Sequence, residues 1–163
     1  MKKLLIILDL DHTLIYGSFA ETETAELLFR YHKYLTVYER PLARELVEIC
    51  NKNEDVIVYT TALRRYAKMI CISLGIKKIE LLTRKNCILI NRKHYKQVRQ
   101  VWLDSYEQII IIDDSPNVWL NSTDAKIKFL IPNEFRGQKS DLGLQKITNE
   151  LNVLIKQYEK NNN

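Results

Sequence analysis

Two short apolar runs, each ending in acidic residues, constrain the fold of this chain more than any other feature of its sequence. Residues 4–8 are followed by Asp9 and Asp11, and residues 109–112, four isoleucines, are followed by residues 113–114, both Asp. A continuous apolar run of this length predicts a strand covered on both faces, as in a parallel sheet. Because such strands end at one edge of the sheet, we expect the four carboxylates to meet there.

The rest of the chain alternates between strand and helix patterns. Residues 56–59 and 127–131 are further apolar runs, whereas helical periodicity appears in four segments: 41–50, 63–74, 96–103 and 141–158. In the third of these helices, Lys96 is the predicted first residue and Val98, Val101 and Trp102 face inward. Gly75 is the expected C-cap of the second. The alternation predicts an α/β fold with three layers, in which helices cover a central, mostly parallel sheet.

Two segments interrupt this alternation. Residues 34–38 look extended, and residues 21–28 fit either a helix or a strand. Residues 82–95 contain an apolar run and then Asn91-Arg92-Lys93, which predicts a small β-hairpin insert. We expect one domain over residues 1–163, with the hairpin at about 82–95 and a C-terminal helix at about 141–159.

Charge and cysteine content narrow the environment of the protein. The net charge of +5 is concentrated in residues 77–99, where eight basic residues stand against one acidic residue, Glu80. Such a segment favours anionic partners. The three cysteines, Cys50, Cys71 and Cys87, lie in apolar patterns and predict buried thiols rather than disulfides or a zinc site. The first apolar run is too short for a signal peptide and no stretch is long enough for a membrane span, so we expect a cytoplasmic protein without a membrane partner.

The converging carboxylates predict a metal site. Several carboxylates at one sheet edge repel each other unless a cation neutralises them, and oxygen ligands suit Mg²⁺. Residues 60–61, both Thr, end the strand at 56–59 on the same edge and offer hydroxyl and backbone N–H groups to an anion. Each motif alone has a plainer interpretation: Asp and Thr are common in turns and caps, and a single lysine such as Lys96 does not by itself indicate a function.

Taken together, the motifs resemble those of the haloacid dehalogenase superfamily of phosphatases. The resemblance is sharper to one branch, the small C-terminal-domain phosphatases, also called NLI-interacting-factor-like phosphatases. It rests on residues 9–19, Arg40-Pro41-Leu42, residues 58–62, the hairpin leading to Tyr95-Lys96, and Asp113-Asp114-Ser115-Pro116. It spans roughly residues 4–135 and covers the final helix only loosely.

The resemblance implies a role for each position. Asp9 would be the nucleophile that becomes an aspartyl-phosphate, and Asp11 would protonate the leaving oxygen and then activate water. Lys96 would balance charge on Asp9 and on the phosphoryl group. The implied catalytic residues are Asp9, Asp11, Thr60 and Lys96, and the implied phosphate-binding residues are Asp9, Leu10, Asp11, Thr60, Thr61 and Lys96.

The resemblance also implies Mg²⁺ as the cofactor. The ion would be held by Asp9, the backbone carbonyl of Asp11, and the pair Asp113 and Asp114. The second position of that pair is often Asn in this branch, so Asp114 is the preferred direct ligand, whereas Asp113 is a direct or an indirect one. His12 replaces a common Glu of the branch; a turn residue facing solvent is the favoured interpretation, and a substrate contact or proton shuttle is the alternative.

The size of the segments between the motifs bears on the substrate. Residues 15–40 suffice for a flap but not for a folded lid, and an open site admits a phosphorylated loop or chain end. We expect Mg²⁺-dependent hydrolysis of a macromolecular phosphomonoester, with phosphoserine or phosphothreonine protein implied by the resemblance. Two alternatives stay open: a nucleic-acid end or small-metabolite phosphatase, and a catalytically silent phospho-binding module. The oligomeric state is a monomer by default.

Overall fold

A computed structural model describes residues 2–20, 25–52, 55–77 and 79–160. The strands, in chain order, are β1 (Lys2–Leu8), β2 (Ile15–Ser18), β3 (Glu26–Tyr31), β4 (Leu35–Glu39), β5 (Val56–Tyr59), β6 (Glu80–Leu82), β7 (Ile88–Ile90), β8 (Lys93–Gln97), β9 (Tyr106–Ile112), β10 (Trp119–Leu120) and β11 (Ile127–Leu130). The α-helices are α1 (Ala43–Asn51), α2 (Arg64–Leu74), α3 (Gln100–Ser105) and α4 (Gly143–Lys160).

Five strands form the central sheet in the order β11-β9-β1-β5-β6, and all of their pairings are parallel. The two apolar runs identified in the sequence are its centre: β1 lies between β9 and β5, with Leu8 opposite both Ile112 and Val58. The four isoleucines of β9 are fully buried. The predicted α/β fold with a parallel sheet is therefore confirmed.

Alternate residues of the central strands supply two separate cores because successive side chains point to opposite faces. On one face, Ile6, Leu8 and Ile110 pack with α1, α2 and α4. On the other face, Leu5, Ile7 and other central-strand residues pack with Trp102 and Trp119. The sheet thus lies between two layers, as predicted. Its edge strand β11 is only half-buried for most of its length, since it has a neighbouring strand on one side only.

The helix predicted at 96–103 is wrong in its position. Lys96 does not begin a helix; it belongs to β8, where it pairs with Trp119 of β10, and α3 starts four residues later. Strand pairing and the burial of Lys96 override the local helical pattern. Val98 and Trp102 are buried as predicted, but Val101 is 60% exposed because the short helix presents it to solvent.

The other helices lie close to their predicted positions. α1 begins at Ala43, two residues after Pro41, with Leu42 as its N-cap. Gly75 ends α2 with a φ of 72°, a left-handed conformation that glycine adopts without strain. α4 covers the C-terminal pattern and buries four of its five predicted apolar positions, whereas Tyr158 is half-buried. Cys50 and Cys71 are buried as expected, and Cys87 is half-buried.

Two small antiparallel units extend from this core. β2, β4 and β3 form a three-stranded flap in the order β2-β4-β3, and part of the ambiguous segment 21–28 belongs to β3; residues 21–24 lie outside the described residues. The expected hairpin is β7 with β8, joined by Asn91 and Arg92. Among the described residues, no helix has the length and apolar character that crossing a membrane requires.

Candidate active site

The buried ammonium group of Lys96 lies between two carboxylates. Its Nζ atom is 2.5 Å from Asp9 Oδ1 and 2.6 Å from Asp113 Oδ2. Asp9 follows β1 and Asp113 follows β9, and these parallel neighbours end at the same level of the sheet. Lys96 reaches them from β8. All three residues are almost completely buried, so their charges interact across protein rather than water.

Asp113 accepts hydrogen bonds from three donors. Besides Lys96, the indole Nε1–H of Trp119 donates to Oδ2 at 2.7 Å and the backbone N–H of Ser115 donates to Oδ1 at 2.8 Å. The ammonium of Lys96 also lies 5.5 Å from the centre of the Trp119 ring. Charge-assisted bonds of this kind fix a carboxylate firmly. Asp113 is thereby oriented toward Lys96.

Asp114 is less buried than Asp113 and has hydroxyl partners. Thr13 Oγ1 donates to Asp114 Oδ1 at 3.0 Å and accepts from the Asp114 backbone N–H at 3.1 Å. Ser115 Oγ donates to the other carboxylate oxygen at 3.1 Å. The loop after β1 and the loop after β9 are thus tied together by Thr13. Each carboxylate oxygen of Asp114 accepts one of these bonds and keeps a further lone pair.

Burial shifts the pKa values at the site. It raises the pKa of Asp9 to about 8, with the Asp113 carboxylate adding to the rise and Lys96 opposing it. Burial alone would lower the pKa of Lys96, but Asp9 and Asp113 outweigh it and hold that pKa above its ordinary value. The ammonium therefore stays charged. This one ammonium group faces four carboxyl groups, those of Asp9, Asp113 and the nearby Asp11 and Asp114. The site is therefore short of positive charge.

Asp11 has a partner that its sequence position does not indicate. The hydroxyl of Tyr66, on α2, donates a hydrogen bond to Asp11 Oδ1 at 3.2 Å. Burial raises the pKa of Asp11, while the Tyr66 hydrogen bond favours the ionised form and opposes this rise. Asp11 is therefore positioned from the α2 side, whereas Asp9 is held from the β8 side.

Thr60 lies at the same edge, level with Leu10 in the parallel register that places Leu8 opposite Val58. Its hydroxyl oxygen accepts a hydrogen bond from the Ala62 N–H at 3.1 Å, which fixes the side chain and leaves the hydroxyl proton to donate. The carbonyl of Thr61 accepts a bond from Arg84 Nε at 2.8 Å. The Leu10 side chain is fully buried, so only its backbone faces the carboxylate edge.

A buried arginine supports the loop that carries Asp9 and Asp11. Arg40, with no exposed surface, donates to the carbonyls of Thr13 at 3.0 Å and Asn133 at 2.7 Å, and to the carboxylate of Asp141 at 2.7 Å. A Cβ atom at Gly143 would lie 2.1 Å from its guanidinium, so the start of α4 requires glycine for this approach. His12 completes the support: its ring contacts the Phe135 carbonyl at 3.0 Å, and its φ of 63° confirms a turn.

The acidic residues have the chemistry of a hard-cation site. Carboxylate oxygens of Asp9, Asp113 and Asp114 come within 4.8 Å of one another. Oxygen donors alone, together with the shortage of positive charge, fit a divalent ion such as Mg²⁺. The lone pairs of Asp113 are largely committed to its three donors, whereas Asp9 and Asp114 have carboxylate oxygens with more capacity.

The sequence motifs identify most of this cluster but not its supporting residues. Asp9, Asp113 and Asp114 come together as the strand pattern predicts, with Asp11 and Thr60 at the same edge. Lys96 joins them as the resemblance implies. Trp119 and Tyr66 give no sequence signal, because aromatic residues in apolar patterns are usually only core residues. Arg40 and Ser115 stand within the motifs that carry the resemblance, which assigns neither of them a function.

The parallel sheet with its acidic edge and buried lysine matches a known protein family. A family model described as NLI interacting factor-like phosphatase matches residues 4–161. The chain belongs to the NLI interacting factor-like phosphatase family, which confirms the resemblance seen in the sequence and extends it through α4.

Individual relatives agree with this assignment. Phosphatase PSR1 of Saccharomyces cerevisiae (strain ATCC 204508 / S288c) is 30% identical over 119 residues, which cover 68% of this chain and 27% of PSR1. The chain thus spans only 27% of that relative's length.

Two solved structures share the fold. The structure of Fcp1, described as an essential RNA polymerase II CTD phosphatase, superposes with a TM-score of 0.56 at 20% identity over 93% of this chain and 49% of Fcp1. A fission yeast Fcp1 variant bound to beryllium fluoride gives a TM-score of 0.56 at 16% identity, covering 97% of this chain and 52% of the other.

Proposed function

We propose that this chain, as one domain, is a Mg²⁺-dependent phosphomonoester hydrolase that uses Asp9 as its nucleophile and acts on phosphorylated protein. The observation that carries the proposal is the cluster of Asp9, Lys96 and Asp113, in which a buried ammonium holds two carboxylates at the edge where parallel strands end. A purely structural role for two carboxylates and a lysine there is costly, because each buried charge loses its hydration. Membership of a phosphatase family supports the same assignment.

In the first proposed step, a carboxylate oxygen of Asp9 attacks phosphorus and the bond from phosphorus to the ester oxygen breaks. Asp11 gives its proton to the leaving oxygen, so the leaving group departs as a neutral alcohol. The raised pKa of Asp11 suits this role because the carboxyl must carry a proton near neutral pH. Lys96 keeps Asp9 oriented and offsets negative charge that gathers around the transferred group.

In the second step, Asp11 acts in the opposite direction. Now ionised, it accepts a proton from water as the water oxygen attacks phosphorus, and the bond between phosphorus and Asp9 breaks. Inorganic phosphate leaves and both carboxyl groups return to their starting states. Thr60 supports the proposal as a phosphoryl-oxygen donor, since its hydroxyl is fixed by the Ala62 N–H while its proton stays available.

The residues that would hold Mg²⁺ are Asp9 and Asp114, with the Asp11 carbonyl as a third donor. We assign Asp113 to Lys96 rather than to the ion because Trp119 and Ser115 already bind its carboxylate. When bound, the ion supplies positive charge that the carboxylate cluster lacks and the phosphoryl group requires.

A protein substrate is supported by the size of the flap and by the relatives. The described part of the flap, β2 to β4, is a three-stranded sheet rather than a folded lid, which supports an edge that is open to a chain segment. Fcp1 is described as acting on the RNA polymerase II CTD, a protein substrate. Cytoplasmic location stays part of the proposal, supported by three cysteines that are all free thiols.

The experiment that tests this function measures phosphate release from p-nitrophenyl phosphate by the wild type and by Asp9→Asn, with Mg²⁺ and with a chelator. We expect turnover that requires Mg²⁺ and falls to background in the variant. Phosphopeptides and 3′- or 5′-phosphorylated oligonucleotides are then compared as substrates. Folded wild type without turnover on any of these substrates would favour a silent binding module, and equal turnover by Asp9→Asn would exclude Asp9 as the nucleophile.

A further inference from the structure

The strand β7 is an exposed, apolar sheet edge close to the catalytic lysine. It is the last strand in the sheet order β10-β8-β7, so within the described residues its outer side has no strand partner. Its three residues are Ile88, Leu89 and Ile90, which are 36%, 61% and 42% exposed. Proteins usually protect such an edge with charge, proline or a covering segment, because its free backbone groups bind other strands.

The tight turn of the hairpin determines which backbone groups of β7 face outward. Asn91 and Arg92 form its two-residue turn with φ values of 48° and 63°, as a type I′ turn requires. In such a hairpin the residues beside the turn, Ile90 and Lys93, exchange both backbone hydrogen bonds, and the next pair exchanges none. The N–H and C=O of Leu89 therefore point outward, away from β8.

The chain segment that contains β7 carries charge of one sign. From Leu81 to Leu103 the sequence contains no Asp or Glu. Arg84 and Lys85 lie exposed before β7, and Arg92 and Lys93 lie exposed after it. An extended segment beside β7 would meet basic side chains at both of its ends.

The edge also lies near the reacting group. Leu89 pairs with His94, two residues before Lys96 in β8, and side chains of alternate residues share one face of a strand. Along β8, the two residues from His94 to Lys96 cover about 7 Å, and across the sheet a strand added beside β7 would lie about 10 Å from β8. Together these distances correspond to about three or four extended residues between a substrate residue bound beside Leu89 and a phosphorylated residue at Asp9.

We propose that β7 binds an extended, acidic segment of the phosphoprotein substrate by adding it as a further strand, about three or four residues from the phosphorylated side chain. Backbone bonds to Leu89 would provide the affinity, and the basic residues flanking β7 would select acidic sequence. This inference rests on the proposed phosphatase function and assigns it a substrate class.

The test compares phosphoserine peptides that differ only in one flank. After a three-residue spacer, the flank alternates Val with Asp, Asn or Lys, and each series is made with the flank on either side of the phosphoserine. In wild type at low ionic strength, kcat/KM should be about 3- to 10-fold higher for the Asp flank than for the Asn flank on one of the two sides, as expected for two or three exposed charge contacts. The preference should shrink as salt is added.

Two kinds of variant locate the effect. Lys85→Glu combined with Lys93→Glu should abolish or reverse the preference for Asp, whereas Lys146→Glu combined with Lys156→Glu, an equal charge change on α4 at the opposite face of the sheet, should keep it. Leu89→Pro removes the outward N–H and should lower kcat/KM for the Asp peptide, whereas Leu89→Ala keeps that N–H and should lower kcat/KM less. Turnover of p-nitrophenyl phosphate, which cannot reach β7, should be unchanged in all of them.

The outcomes separate this inference from the proposed function. Absence of p-nitrophenyl phosphate turnover in wild type contradicts the proposed function itself. Turnover with equal kcat/KM for the Asp, Asn and Lys flanks overturns the docking inference alone. Two further results would also overturn it. If a single-stranded oligonucleotide inhibits the enzyme, Lys85→Glu/Lys93→Glu relieves that inhibition and no flank preference exists, the surface binds nucleic acid. If the protein forms dimers that Leu89→Pro dissociates, the surface binds a second copy of the chain.

Discussion

The strand β8 carries two lysines, Lys93 and Lys96, in opposite environments. Lys96 is 2% exposed and contacts two buried carboxylates. Lys93 is exposed at the hairpin tip, where its ammonium lies 5.3 Å from the centre of the Tyr95 ring. The two lysines are three residues apart in the same strand. Lys96 is bound by protein carboxylates, whereas Lys93 is exposed to solvent.

This difference shows what a charge does at each end of the strand. At the buried end the ammonium is part of the site, because removing it leaves two carboxylates without their positive counter-charge in a medium that solvates them poorly. At the exposed end solvent and salt screen the charge, so its effect is confined to large anionic ligands that approach the tip.

The largest effect is expected from Lys96→Met. Removing the positive counter-charge of Asp9 and Asp113 should lower the free energy of unfolding by about 3–5 kcal/mol, measured by urea denaturation without metal, and should remove turnover. Lys93→Met is the matched control and should change the free energy of unfolding by no more than about 0.5 kcal/mol. Equal effects of the two substitutions would contradict the contrast between the two ends.

The next effect separates the two acidic residues after β9. Asp113→Asn weakens the anchor of Lys96 and should lower kcat by about 10- to 100-fold even at saturating Mg²⁺. Asp114→Asn should instead raise the Mg²⁺ concentration needed for half-maximal activity and keep most of kcat, because we assign Asp114 to the ion. Metal titrations of p-nitrophenyl phosphate turnover give both quantities. The opposite pattern would make Asp113 the metal ligand.

A smaller effect is expected at Trp119. Trp119→Phe keeps an aromatic ring but removes the N–H that donates to Asp113 Oδ2, and kcat should fall about tenfold. Trp102→Phe is the control, since Trp102 lies in the same buried cluster on α3. If the two variants lose activity equally, the effect of Trp119 is one of packing and not of its hydrogen bond.

The smallest effect is a shift in pH dependence. The Tyr66 hydroxyl stabilises ionised Asp11, so Tyr66→Phe should raise the pKa of Asp11 further. Because Asp11 must be protonated to donate to the leaving oxygen, the high-pH decline of kcat should move to higher pH. Tyr31→Phe, which leaves the Tyr66 hydroxyl in place, should not move it. A downward shift would contradict Asp11 as the acid.

The sequence predicts the central sheet and the acidic edge well because each depends on local pattern. The four isoleucines at 109–112 predict a buried strand without reference to the rest of the chain. Residues that follow neighbouring parallel strands lie at the same edge of the sheet. Local pattern fails at Lys96, whose segment has helical periodicity. Lys96 lies in a strand instead, because it pairs with β10 and binds two carboxylates that are distant in the sequence. Trp119 and Tyr66 contact the site from elements whose apolar periodicity predicts only burial, so their polar atoms become informative once the fold places them beside Asp113 and Asp11.

The most direct test of the central claim is to trap the phosphoryl group on Asp9. Asp11→Asn keeps the nucleophile but lacks the group that activates water, so the protein should accumulate an aspartyl-phosphate during reaction with p-nitrophenyl phosphate and Mg²⁺. Mass spectrometry after acid quenching should find one added phosphoryl group on the peptide containing Asp9, and none when Asp9→Asn is added. A phosphoryl group on another residue, or release of p-nitrophenol without any modified protein, would contradict the account.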